Sequence, residues 1–171
     1  MNGEPLLSRA LCALAACGLQ EAVIVIGHLG DVIRTHIGDQ FAGLEIHYVE
    51  ALDYDTTNNI RSLWDARDYF DDDILLLEAD VIFDNSVIEA LLRQSGSSVA
   101  VAPYHSALSG TVVRRDAQAR VVSFHLGTDQ RAGFDPTGSY KTVNISLLRA
   151  DLLRDQLLPR LDRLIDDGRV Q

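Results

Sequence analysis

Lysine is almost absent from this sequence: of fifteen basic residues, only Lys141 is not an arginine. The skew reads first as a compositional preference for arginine. It also leaves Lys141 as the one ammonium group the chain kept. Cysteine is scarce too. Cys12 and Cys17 stand five residues apart on one helical stretch, about 500° of turn, so they point in different directions. That argues against a disulfide or metal pair and leaves two small buried thiols. The five histidines, His28, His36, His47, His105 and His125, show neither HxxxH nor HxH spacing, and no zinc site is read from them. No apolar run approaches the roughly 18 residues of a membrane span. The opening MNGEPLLSRALCALAACGL has no basic segment ahead of its apolar stretch, so it reads as an amphipathic helix and not as a secretion signal. The cytoplasm is the expected location. A net charge of −10 argues against a nucleic acid polymer as partner, because phosphate binding needs a basic face. A single nucleotide needs only a local pocket and stays open.

What is present suits one soluble domain: 171 residues, 47% hydrophobic and 23% charged, enough to build a core. Pro5 to Cys17 reads as a helix, with Pro5 in its first turn and Gly18 at its C-terminal cap. EAVIVIG (21–27) is a continuous apolar strand of the kind buried on both faces. LGDVIRTHIGD (29–39) is a short helix and LEIHYVE (44–50) an alternating strand. ALDYDTT (51–57) is a polar loop, and NNIRSLWDARDYF (58–70) carries Ile60, Leu63, Trp64 and Arg67 at helical spacing. DILLLEA (73–79) is the strongest buried strand. NSVIEALLRQS (85–95) is a helix capped by Asp84 or Asn85, and SVAVAPY (98–104) is another strand. Helix and strand alternate through residue 104, which predicts a mostly parallel α/β sheet with helices on both faces. The second half changes character. Residues 110–126 form a β-hairpin turning at Asp116–Ala119, 127–139 a loop, and YKTVNISLL (140–148) a strand. Residues 150–168 form a helix that Pro159 must kink or divide.

Ligands of open parallel sheets bind beyond the C-terminal ends of the strands. Gly27-His28 ends one strand there, and Glu78 and Asp80 end another. The loop DYDTTNN feeds a helix whose first N–H groups are open to a phosphate or base. Asp80 has two readings. It caps the turn before Asn85, or it is a magnesium ligand, since Mg²⁺ is commonly held by one or two carboxylates together with substrate phosphates. Strand alternation puts Glu78 on the same side as Asp80, with Ala79 opposite.

The segments TTNNIRSLW, DILLLEADVIFD, GTVVRRD and YKTVNI, in that order, resemble the nucleotidyltransferase superfamily of sugar-phosphate and phosphocholine nucleotidyltransferases. The phosphocholine cytidylyltransferase-like branch is the most similar, including versions fused to aminotransferase-like domains. The opening residues 2–39 are also similar to the segment that follows the family's signature loop. The likeness covers nearly the whole chain. It implies a Rossmann-like fold and transfer of a nucleotidyl group from an NTP, with CTP favoured, to a phosphorylated small molecule such as phosphocholine or a sugar phosphate. Pyrophosphate leaves, and Mg²⁺ is the implied cofactor. By the same resemblance Asp80 is the metal ligand. Asn59 and Ser62, with Thr57 and Asn58 nearby, contact the nucleotide. Lys141 falls where a basic residue meets a substrate phosphate. Plain alternatives stand beside these roles: a helix cap for Asn59 and a solvent-facing helical serine for Ser62.

The family opens with an apolar strand and a glycine-rich GxGxR loop that wraps the triphosphate, and no GxGxR occurs among the 171 residues. The resemblance therefore implies one nucleotidyltransferase-like domain over residues 1–171, incomplete at both ends, with little transferase activity by itself. A strand would be missing from the centre of its sheet, which either closes up or keeps a gap. Self-association or a fused neighbouring domain is a compatible partner. Two other functions remain open. One is a non-catalytic nucleotide-binding or oligomerising remnant of the fold. The other is a metal-dependent glycosyltransferase, although Glu78-Ala79-Asp80 only approximates the Asp-x-Asp of such enzymes.

Overall fold

The computed structural model describes residues 3–105, 107–130 and 133–169. Positions 131 and 132 of the expected 127–139 loop lie outside the described residues, as do both chain ends. The elements follow the sequence pattern closely. Helix α1 (Leu6–Ala16) starts after Pro5 and ends before Gly18, whose φ of +87° is a conformation glycine adopts without strain. Strand β1 (Glu21–Ile26), helix α2 (Gly30–Ile37), the short strand β2 (Gln40–Phe41) and strand β3 (Leu44–Glu50) come next. Helix α3 (Asn59–Asp65) precedes strand β4 (Ile74–Leu77), helix α4 (Asn85–Leu92) and strand β5 (Ser98–Pro103). Strands β6 (Val112–Arg115) and β7 (Val121–His125) form the hairpin, and strand β8 (Tyr140–Leu148) has the predicted bounds. The last helix is divided as Pro159 requires. It runs as α5 (Ala150–Leu152), a π-helical segment Leu153–Leu157, and α6 (Leu158–Asp166) with the proline in its first turn. A proline has no N–H for the carbonyl four residues back and its ring crowds that carbonyl, so the ladder widens just before it.

The alternation of β1 puts helices on both of its faces. Ala22 and Ile24 pack with Leu11 of α1, Ile37 of α2 and Leu44 and Ile46 of β3. Val23 and Val25 pack on the other side with Ile60, Leu63 and Trp64 of α3 and with Leu153 and Leu161. A third cluster joins Ile88 and Leu91 of α4 to Ile145 and Leu147 of β8. The mixed α/β class and the hairpin are as the sequence predicts. Within that class, the expected run of parallel neighbours is interrupted. β1 pairs in parallel with β3, but β8 runs antiparallel to both β4 and β5 and lies between them. It also pairs antiparallel with β6, which carries β7. The strands therefore divide into a three-stranded sheet containing β1 and a five-stranded sheet containing β4. β1 and β4 do not pair with each other among the described residues.

Two local expectations are corrected. Cys12 is exposed, because the buried stripe of α1 runs through Leu7, Ser8, Leu11 and Leu14 and leaves position 12 on the solvent side. Cys17 is half-buried, and burial together with Glu89 and Asp84 pushes its thiol above the ordinary range. Both thiols are free, as their spacing requires.

At the N-terminal edge of β4, Asp73 ties three segments together. Its carboxylate pairs with the Arg149 guanidinium and accepts the Ala150 N–H at 2.9 Å, while Arg149 also donates to the Gln94 carbonyl. The bond from Arg149, aided by Ala150 N–H, holds the Asp73 carboxyl below its usual range. A depressed folded-state pKa adds stability that is present above the ordinary carboxylate value near pH 4 and lost as pH falls below that value through the depressed folded-state one. Asp73 is 38% exposed, so screening keeps the effect small. Asp73→Asn should cost about 1 kcal/mol at pH 7. Thermal unfolding should show the difference from wild type shrinking below about pH 4.

Candidate nucleotide site

The loop 51–57 leaves the C-terminal end of β3 and is pressed against the end of β1. A Cβ on Gly27 would stand 2.6 Å from the Tyr54 ring, so glycine is required by this close approach. The loop closes on Asp53, whose carbonyl accepts the Thr57 N–H at 3.0 Å and the Thr57 hydroxyl at 2.7 Å. Asn58 then caps α3, its side-chain oxygen accepting the Ile60 N–H at 3.0 Å. This corrects one expectation. In the first turn of α3 the Ile60 N–H is spent on the Asn58 side chain and the Arg61 N–H on the Asn58 carbonyl, and the helix has only seven residues. The candidate nucleotide contacts here are therefore side chains and not a helix terminus. Asn59 and Ser62, three apart, share a helix face. Asn59 is exposed and Ser62 half-buried.

β4 ends at Leu77, and Glu78 to Val81 form a turn closed by Val81 N–H on the Glu78 carbonyl at 3.4 Å. Glu78 and Asp80 therefore do not stand as alternate residues of one strand. Their environments differ sharply. The Glu78 carboxylate accepts Asn59 Nδ2 at 3.3 Å on one oxygen and Asn144 Nδ2 at 2.7 Å on the other. Asp80 is exposed, and its carboxylate has no hydrogen bond or ion pair among the described residues. It does not cap α4; Asp84 does, accepting the Ser86 N–H at 2.9 Å.

Asn144 is a site feature that sequence reasoning missed, although it lies inside the quoted YKTVNI. It sits in β8 with φ +58°, where the pairing with β5 jumps from Val99–Ser146 to Val101–Thr142. Its amide is held from behind by the Thr142 hydroxyl, 3.3 Å from Oδ1 and 3.2 Å from the Thr111 carbonyl. An asparagine amid apolar and β-branched strand residues was the available signal. Lys141, on the same strand, is half-buried and donates from Nζ to the Thr142 carbonyl at 2.7 Å. An ammonium carries three N–H donors, so two remain for an anion. Asn59, Glu78, Asn144 and Thr142 are thus joined by hydrogen bonds. Asp80 lies two residues from Glu78 in the chain, and no contact draws Lys141 to Asp80.

Asp80 fits a magnesium ion as a single unpartnered carboxylate, a donor set that substrate phosphates must complete. No cluster of three or more His, Cys, Asp or Glu side chains able to hold a metal occurs among the described residues. A surface concavity lined by Asp73, Ser97, Arg149 and Asp155 lies at the other end of β4 and β8. It belongs to the Asp73 lock and not to this site.

The fold and the carboxylate at the exit of β4 define a nucleotidyltransferase-like α/β domain. Residues 1–170 match the MobA-like NTP transferase domain, and the chain belongs to that family. It is 42% identical over 163 residues to a Streptomyces rubellomurinus protein named CMP-5'-(3-aminopropyl)phosphonate synthase, covering 95% of this chain and 26% of that one. It is 27% identical over 94 residues to the Haloferax volcanii protein named UTP--glucose-1-phosphate uridylyltransferase AglF, covering 55% of this chain and 38% of that one. The chain thus spans about a quarter of the first relative's length and under half of the second's. Among solved structures, a Bacillus anthracis protein described as a glucose-1-phosphate thymidylyltransferase, in complex with sucrose, superposes with a TM-score of 0.68 at 18% identity. The match covers 87% of this chain and 60% of that one. It shows that the Rossmann-like fold is shared. No helix among the described residues is long and apolar enough to cross a membrane.

Proposed function

We propose that this chain is the nucleotide-transferring domain of an enzyme that joins CTP to a small molecule bearing a phosphonate or phosphate, releasing pyrophosphate. One observation carries the reading: a relative named as a CMP-phosphonate synthase matches 95% of the chain at 42% identity. The site supports it with a carboxylate that has no partner among the described residues, just past the end of the apolar strand β4. An oxygen of the acceptor's phosphorus group attacks the α-phosphorus of CTP in line, and the bond to the pyrophosphate oxygen breaks. Positioning and charge neutralisation supply most of the rate in such transfers. Asn59 and Ser62, with Thr57 and Asn58 beside them, hold the nucleotide. Asp80 holds Mg²⁺, which when bound neutralises triphosphate charge. Lys141 presents its spare N–H donors to the acceptor's anionic group. Glycosyl transfer is disfavoured because Glu78, the first carboxylate of Glu78-Ala79-Asp80, is engaged by two amides.

The test is pyrophosphate release by the natural protein with Mg²⁺, comparing CTP with UTP against aminoalkylphosphonates, phosphocholine and glucose 1-phosphate. CTP with a phosphonate or phosphocholine is expected to exceed UTP with glucose 1-phosphate by about tenfold or more in kcat/KM, since a few pocket hydrogen bonds suffice for that ratio. A preference for UTP and the sugar phosphate would reverse the substrate assignment. Nucleotide binding with no pyrophosphate from any pair would leave a non-catalytic binding domain.

A further inference from the structure

We propose that Glu78 is a positioning residue of the nucleotide site, a clamp between α3 and the bulge of β8, and not a metal ligand. The proposal rests on the reading of α3 as the nucleotide-contacting helix. Three observations carry it. Both Glu78 oxygens are taken by amide donors from different elements, Asn59 at the start of α3 and Asn144 in β8. The Glu78 backbone N–H also donates to the Asn144 carbonyl at 3.3 Å, so Asn144 grips the same residue through side chain and backbone. Asn144 can do both because it is left-handed within a strand, at φ +58°. That conformation is uncommon outside glycine and is tolerated best by asparagine and aspartate. Aspartate would set a like charge against Glu78; asparagine supplies the donor.

The consequence is a division of labour between two carboxylates two residues apart. Asp80, without a partner among the described residues, is open to a cation. Glu78, with both oxygens accepting charge-assisted hydrogen bonds, is fixed in orientation and fixes Asn59 in turn. The clamp sets where the first turn of α3 stands relative to the turn that bears Asp80, and so aligns the nucleotide with its metal.

The experiment uses the natural protein with Glu78→Gln and Asn144→Gly. Glycine accepts φ +58° without strain, so the second variant keeps the fold while removing the amide. Each variant should raise the CTP KM about tenfold, with kcat and the Mg²⁺ midpoint near wild type. The double variant should cost little more than either single one, because both remove one unit. In the nucleotide-free protein, amide exchange at Arg61–Asp65 should quicken in both variants. Unchanged exchange there, or a Mg²⁺ midpoint displaced as far as in Asp80→Asn, would overturn the clamp. The exchange measurement stands without turnover: absent pyrophosphate release from the wild-type protein would sink the proposed function while leaving the clamp decided by α3 exchange.

Discussion

Asp80→Asn should lower pyrophosphate release by about 10²–10³-fold, the usual loss when one preorganised electrostatic contact to a transferring group is removed. The same substitution should leave stability within about 0.5 kcal/mol of wild type, because it touches an exposed turn position away from the core. The two halves of that expectation follow from one fact. The Asp80 carboxylate has no protein partner among the described residues, so folding does not depend on its charge. Asparagine preserves the size and removes the charge, which isolates the electrostatic contribution. The Mg²⁺ dependence of the variant should move to higher concentration while CTP binding measured without metal stays the same. Turnover within twofold of wild type would remove Asp80 from the metal site.

The sequence exposed the elements more readily than their partners. Alternation in LEIHYVE set the bounds of β3, since a half-buried strand must place every second residue inward. Pro159 announced the interruption before α6 for a similarly local reason. Nothing local in residues 140–148 says that this strand lies between β4 and β5 and runs against both. Pairing is decided by which apolar edges meet, over separations of up to 74 residues between Ile74 and Leu148. The site divides in the same way. Asp80 stood out in the sequence because a carboxylate closing an apolar run is a misfit. Glu78 read as its twin, because strand alternation was carried past Leu77, where β4 ends, as far as Asp80. Of its two amide partners, Asn144 is 66 residues away and reaches it through a left-handed bulge that no local propensity predicts. Thr57 was read as a nucleotide contact, and the structure shows its hydroxyl already donated to the Asp53 carbonyl. It retains acceptor capacity alone for a ligand.

The largest loss of stability should come from Leu153→Ala. Leu153 is fully buried, in the π-helical segment ahead of Pro159. It belongs to the cluster that joins Val23 and Val25 of β1 to Ile60, Leu63 and Trp64 of α3 and to Leu161 of α6. Alanine there removes the buried methyl groups and leaves a cavity among partners drawn from several elements. The cost should be about 3 kcal/mol, or roughly 6–12 °C in Tm for a domain of this size. Leu153→Met, which nearly conserves volume, should cost less than about 1.5 kcal/mol. Thermal unfolding followed by Trp64 emission measures both, since the single tryptophan packs in the same cluster, with Arg67 3.7 Å over its ring and Nε1 donating to Asp162 at 2.9 Å. The functional signature separates this variant from the site variants. Loosening the seat of α3 should leave CTP KM unchanged well below the lowered Tm and raise it only as unfolding begins. Glu78→Gln, by contrast, should raise it at every temperature. A Leu153→Ala protein with wild-type Tm would mean that α3 is seated by its Trp64 bonds alone and that the apolar cluster beneath it contributes little.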